Sequence, residues 1–319
     1  MTVAPVAIVG AGPTGLAVGI ELKRRGIPHV VFDKGALVDS IRRFPVNMVF
    51  FTTPELLEIG DLPLVTAQEK PVRLEALKYY RKVTEYYGLA VRFYEKVDAV
   101  RRTNGAFTVA TPRGTYDAQK VVVATGYYDH PNLLGVPGEE LKKVSHYYTE
   151  AHPYFGHDVA VVGGANSAAE AALDLFRSGA RVSLIHRGTE VSRSIKYWVR
   201  PDIENRLERG EIRAFFETKV VEIREKTLVL EKAGATFELK NDFVLALTGY
   251  HTDTAFLGAM GVAFDANGRP EHDPETLETN VPGLYLAGSV TGGRDNRNIF
   301  IENGRFHGKR IAEHVAARL

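Results

Sequence analysis

The segment VAIVGAGPTGLAVGI places Gly10, Gly12 and Gly15 in the pattern G-x-G-x-x-G, with Pro13 and Thr14 inside the turn, and an acid, Asp33, follows eighteen positions beyond Gly15. Each type has a physical task. Gly10 permits a tight turn, Gly12 lets a pyrophosphate approach the backbone, Gly15 allows a helix to pack closely, and Asp33 can accept hydrogen bonds from an adenosine ribose. The bound anion then sits at the positive end of the helix. A second turn follows in VAVVGGANSAAEAAL, where Gly163, Gly164, Asn166, Ser167 and Ala168 repeat the arrangement and Ala165 sets one methyl near the pyrophosphate path. The strand behind it ends not in an acid but in His186 and Arg187, with Arg193 and Lys196 close by and Arg200 a little further on. An acid there would repel a 2′-phosphate, whereas a guanidinium binds it with two hydrogen bonds, so the second site is expected to prefer NADPH to NADH. Two dinucleotide sites in one chain point to one bound flavin and one exchangeable nicotinamide, with a hydride passing from the second to the first.

These residues need particular elements to hold them. Val6–Val9, Pro13–Arg25 and His29–Phe32 read as strand, helix and strand; residues 44–65 are irregular; and 71–87 returns to a helical period. LAVRFY, AFTVATP and YDAQKVVVATG read as short strands, and GYYDHPNLLGVPGEE breaks the pattern as a first hinge. Val159–Val162, Ser167–Ser178 and Arg181–Ile185 then echo the first unit, strand-like sequence runs to Leu247, and ALTGYHTD is a second hinge. The remainder has one strand, GLYLAG, and a closing helix from about Asn303, too little for a core of its own, so it is expected to pack back on the first domain. The expected fold is α/β: two Rossmann-like, three-layer ββα domains, the second (126–247) inserted into the first (1–125 and 248–319). The alanines at 168, 169, 171 and 172 read as close helix–sheet packing.

Composition narrows the function classes. Forty basic against 39 acidic residues give a net charge of +1, no field to draw nucleic acid or an anionic membrane. With no run of about eighteen apolar residues and no export signal, the expected setting is the cytoplasm. There is no cysteine, which removes thiol redox chemistry by the protein itself. His146, His152 and His157 cluster, but neither cysteine nor helical spacing makes them a metal set; His146 and His152 are candidates for proton donors near a reduced flavin. The aromatics around them, with Tyr127 and Tyr128, either cover the flavin or join the domains.

VAIVGAGPTGLA, VVVATGYY, VAVVGGANSA, LIHRG and NVPGLYLAG together resemble the thioredoxin-reductase-like branch of two-dinucleotide-fold flavoproteins. FPVNMVFFTTPELLEIGD, VSHYYTEAHPYF, SIKYW, NDFVLALTGYH and IFIENGRFHG are similar to its bacillithiol disulfide reductase-like (YpdA-type) subgroup. The resemblance implies FAD in the interrupted domain: Lys34 joins the glycine turn and Asp33, Val97 lies near the adenine, Thr125 and Gly126 lie close to the cofactor, and Phe50, Phe51, Thr52, Phe300 and Ile301 line the flavin. NADPH would meet Gly163, Gly164, Asn166, Ser167, Ala168, His186 and Arg187. Three positions depart from the pattern. SHYYTEAHPYF stands where thioredoxin reductases carry Cys-x-x-Cys, Thr14 stands where some subgroup members have a cysteine, and Ser289 follows Gly288 where broader relatives have an acid gripping the ribityl chain. Dithiol relay is therefore impossible, and either flavin binding is weaker or helix-end amides take over that contact. The expectation is an NADPH-dependent FAD oxidoreductase, a homodimer by the resemblance, whose acceptor reaches the flavin itself: a small disulfide, a quinone, or a carrier such as ferredoxin or flavodoxin. A ferredoxin/flavodoxin–NADP reductase, or a nucleotide-sensing flavoprotein without turnover, are the alternatives.

Overall fold

The computed structural model describes residues 3–294 and 298–319. The chain divides into two compact units, one of Met1–His130 with Tyr250–Leu319, the other of Pro131–Gly249. In the first unit β1 (Val3–Val9), α1 (Pro13–Arg24) and β2 (His29–Phe32) are followed by the short helices α2 (Asp39–Arg42) and α3 (Pro54–Leu57), then α4 (Arg73–Tyr87), β3 (Val91–Arg92), β4 (Ala99–Thr103), β5 (Ala106–Thr111) and β6 (Gly114–Val123). The second unit holds β7 (Val144–Ser145), β8 (Asp158–Val162), α5 (Asn166–Arg177), β9 (Arg181–His186), α6 (Arg200–Glu208), β10 (Arg213–Phe216), β11 (Thr218–Ile223), β12 (Thr227–Lys232), β13 (Ala235–Lys240) and β14 (Phe243–Ala246). The chain returns to the first unit with α7 (Thr254–Ala259), β15 (Leu284–Leu286), α8 (Ile301–Gly304) and α9 (His307–Ala316).

β1 lies between β2 and β6, parallel to both, so its apolar run is buried on both faces. Its residues alternate between two cores. Val6 and Ile8 meet the helical side, with Leu16, Tyr80, Ile311 and Val315; Ala7 and Val9 meet the opposite layer, with Phe107, Val109, Leu257 and Leu284. β6 serves two neighbours along one edge: Gly114–Ala118 pair antiparallel with β5, and Val121–Val123 pair parallel with β15. The C-terminal segment thus adds a strand to the first sheet. Gly308 of α9 lies so close to α1 that a β-carbon there would come within 2.7 Å of the Ala17 backbone.

α1 begins after Gly12 with Pro13 in its first turn, where the missing N–H costs nothing. It ends in a left-handed Gly26 (φ +67°), with Gly26 N–H bonded to Lys23 O and Ile27 N–H to Leu22 O at 3.0 Å each. The second unit repeats the plan in a parallel sheet, β10-β9-β8-β14-β7, with an antiparallel sheet of β11, β12 and β13. Val159 and Val161 pack against the α5 alanines, Leu175 and Ile203, while Ala160 and Val162 pack against Leu228, Leu230 and Leu239. Ala168, Ala169, Ala171 and Ala172 are all buried, as close helix–sheet packing demands.

Some elements differ from the sequence reading. The LAVRFY strand shrinks to Val91–Arg92, the closing helix divides into α8 and α9, and α6 and α7 have no counterpart in it. α7 is nucleated by Asp253, whose carboxylate accepts the Phe256 N–H at 2.9 Å, a cap hidden within the segment read as a hinge.

Candidate functional site

In the first glycine turn a β-carbon on Gly10 (φ +112°) would lie 2.4 Å from Ala124 O, and one on Gly15 only 1.9 Å from Gly10 O. At Gly12 no atom lies within 4 Å of that position, so the backbone there is open to a ligand's approach. Asp33 closes β2 with both oxygens engaged, one accepting the Ala11 N–H at 2.7 Å and the other the Gly35 N–H at 2.8 Å. Burial raises its carboxyl pKa from the ordinary value, against the pull of these two bonds. Lys34 pairs with Asp129 at 3.0 Å, and Arg43 pairs with Asp129 and, at 3.0 Å, with Asp39.

Thr14, Gly126, Gly288, Ser289 and Gly304 converge at the mouth of the same turn. A β-carbon on Gly288 would come 2.8 Å from the Thr14 hydroxyl, one on Gly304 would come 3.1 Å from it, and one on Gly126 would touch Ser289 Oγ at 3.5 Å. Gly288 is held at both ends: its N–H donates to His307 Nδ1 at 3.1 Å, and its carbonyl accepts from the Thr291 hydroxyl at 2.8 Å. Burial lowers His307 to about 4, with Arg310 and His272 adding to the shift, so the ring is neutral and free to accept. Phe50 is buried in the helical-side core, edge-on to Phe44, while Phe51 and Phe300 are exposed; Thr52 follows Phe51, Ile301 opens α8, Val97 is buried, and Thr125 follows β6. His307, Thr291, Asp129 and Arg43 have no sequence signal, because their partners lie far along the chain.

The second turn is built alike. A β-carbon on Gly163 (φ +150°) would lie 2.5 Å from Leu247 O and 3.0 Å from the Ala168 methyl. Gly164 and Gly188 flank the His186 ring so tightly that β-carbons there would come within 2.4 and 2.7 Å of it. Burial, and next the neighbouring Arg187, lower the His186 pKa, so this ring brings shape rather than charge. Arg187 is exposed and makes no hydrogen bond or ion pair among the described residues. Ser167 lies in the first turn of α5, and Ser192–Lys196 is joined to the glycine turn by the Ser192 N–H, 2.7 Å from Gly164 O. Arg193 pairs with Glu190 at 3.2 Å and Lys196 with Glu170 at 3.4 Å, its ammonium lying 5.8 Å from the Trp198 ring centre.

The aromatic neighbourhood divides between the units. Tyr148 bonds Asp174 and Tyr154 meets Phe243 edge-on in the second unit, while Tyr127 and Tyr128 pack against Tyr250 in the first. His146 lies 3.5 Å from Glu139 in the second unit, and His152 is exposed there.

A family model for pyridine nucleotide-disulphide oxidoreductases matches residues 7–288. The chain belongs to this family. It is 47% identical over 314 residues to the bacilliredoxin reductase Bdr of Bacillus subtilis (strain 168), covering 98% of this chain and 97% of that protein. A solved structure of the bacillithiol disulfide reductase Bdr (YpdA) from Bacillus cereus superposes with a TM-score of 0.97 at 46% identity, covering both chains fully. A ferredoxin–NADP reductase of Thermus thermophilus is 29% identical over 299 residues, 89% of this chain and 84% of its own. As a family member the chain is an NADPH-dependent flavoprotein oxidoreductase using FAD, with a thioredoxin-reductase-like fold. The first glycine turn fits a dinucleotide: the backbone is open at Gly12, and an anchored carboxylate closes the strand behind. No helix among the described residues is long and apolar enough to cross a membrane.

Proposed function

We propose that this oxidoreductase reduces a low-molecular-weight disulfide, bacillithiol disulfide by kinship, with electrons from NADPH. The observation that carries this reading is the full-length likeness to proteins named for bacilliredoxin and bacillithiol disulfide, against a lower and shorter likeness to a ferredoxin reductase. FAD, when bound, would supply a two-electron store between NADPH and the acceptor. NADPH, one proton and one disulfide give two thiols and NADP⁺.

Gly10 to Gly15 and Asp33 would hold the adenosine diphosphate part of FAD, with Lys34 and Val97 beside it. Thr125, Gly126, Gly288 and Ser289 would follow the cofactor toward the flavin, between Phe51 and Thr52 on one segment and Phe300 and Ile301 on another. The backbone of Gly163 to Ala168 would hold the NADPH pyrophosphate, and Arg187, with Arg193 and Lys196 of the neighbouring segment, its 2′-phosphate. Because the chain has no cysteine, the acceptor must meet the flavin directly. Its proposed setting is the cytoplasm, and its proposed state a homodimer.

The test is an anaerobic titration followed by an acceptor screen. Purified protein should be yellow and bleach quickly with NADPH, far better than with NADH. Added bacillithiol disulfide should restore the colour catalytically. Re-oxidation by ferredoxin, flavodoxin or a quinone, with no turnover of the disulfide, would replace this acceptor by that one; binding without bleaching would make the protein a sensor.

A further inference from the structure

Resting on the reading that the second unit binds NADPH, we infer that Asn166 acts as a positioning residue for nucleotide choice, fixing the basic segment Ser192–Lys196 beside the glycine turn. Its two side-chain atoms are both committed to that segment. Asn166 Oδ1 accepts the Lys196 backbone N–H at 3.0 Å, and Nδ2 donates to Ser194 O at 3.1 Å. At the near end of the segment the Ser192 N–H reaches Gly164 O at 2.7 Å. Val191 and Ile195 are buried in the core that covers α5, so two apolar anchors alternate with these polar ties. Between the anchors stands Arg193, and Lys196 comes directly after the second.

The chemistry of the side chain matters. Joining one N–H and one C=O two residues apart takes a short group with one acceptor and one donor, which an amide provides and a carboxylate does not. The ties are half-exposed, so their loss frees the segment rather than unfolding the domain. A freed segment must be ordered again before its cations can meet a phosphate, and that cost falls on binding. NADPH and NADH differ only in the 2′-phosphate, so the cost appears with NADPH and not with NADH. A direct ligand of the shared pyrophosphate would weaken both alike.

Stopped-flow bleaching of the flavin in the holoenzyme, against NADPH and against NADH, reads this difference. Asn166→Ala should raise the half-saturating NADPH concentration about tenfold, the worth of one or two hydrogen bonds, while the NADH value moves less than about twofold. The change should lie in the half-saturating concentration rather than the limiting rate. In an Arg193→Ala/Lys196→Ala background, Asn166→Ala should add nothing further to the NADPH value. Asn166→Ser, neutral and too short to make both ties, serves the same comparison should the alanine variant not fold; it should also weaken NADPH selectively. A parent protein that prefers NADPH, with variants that weaken both nucleotides equally or add fully to the double substitution, overturns this inference alone. A parent that treats NADPH and NADH alike, and is not inhibited by 2′,5′-ADP, overturns the nucleotide reading and this inference with it.

Discussion

At the residue scale, two neighbours at the end of β9 carry different physics. The Arg187 guanidinium is exposed and without an ion pair among the described residues, so engaging a phosphate requires breaking no existing bond. His186 is confined between Gly164 and Gly188 and held neutral by burial, with Arg187 beside it. Arg187→Ala should therefore raise the NADPH KM roughly 10- to 100-fold, as expected for losing charge-assisted hydrogen bonds, and leave the NADH KM nearly constant. Equal loss with both nucleotides would move the 2′-phosphate elsewhere. Gly164→Ala tests the shape role of the imidazole. A new methyl would meet the ring at 2.4 Å, and forcing the ring aside should cost about 1–3 kcal/mol, read as a lower denaturation midpoint. Adding His186→Ala should recover much of that loss, because the atoms in collision are gone; no recovery would mean that the backbone, not the ring, sets the need for glycine.

At the element scale, the turn after β15 depends on α9. His307 accepts the Gly288 N–H only as a neutral ring, and burial depresses its pKa from 6.5 to about 4. Since the unfolded chain binds a proton at higher pH than the folded one, stability is full above about pH 6.5 and falls as pH drops toward 4, by about 3 kcal/mol in all. Denaturant midpoints measured from pH 7 to pH 4 should show this slope, and His307→Gln should flatten it; an unchanged slope in the variant would assign the acid sensitivity to other groups. Nothing in the sequence announces this pairing. The βαβ units were readable because a strand run, a glycine turn and a helical period are local signals, and Gly10, Gly15 and Gly163 meet backbone where the spacing says they must. Bonds such as Gly288 to His307 or Arg43 to Asp129 depend on how distant segments meet. α7 lies between: Asp253 stands in the segment read as a hinge, and six residues are too few for a period to declare itself.

At the scale of the whole molecule, each unit has its own sheet, mixed in the first and parallel in the second, with a core on either face, so the inserted unit has the means to fold alone. Residues 131–249 expressed by themselves should unfold cooperatively, be retained by 2′,5′-ADP resin and be colourless; a yellow fragment would reverse the assignment of the two cofactors. The cysteine-free composition bears on the reaction as a whole. A reductase that relays electrons through its own dithiol exposes a nucleophilic thiolate in each cycle, and an alkylating agent added during turnover traps it. This chain has no such atom, so under the proposed function the disulfide would be cleaved where the flavin is reached, with no mixed disulfide to the protein. Iodoacetamide added to NADPH-reduced enzyme, then removed, should leave disulfide turnover intact, and mass spectrometry of enzyme quenched during turnover should show no substrate thiol attached. Inactivation by the alkylator, or a covalent adduct on the chain, would mean that some other side chain acts as the nucleophile and that direct transfer from the flavin is wrong.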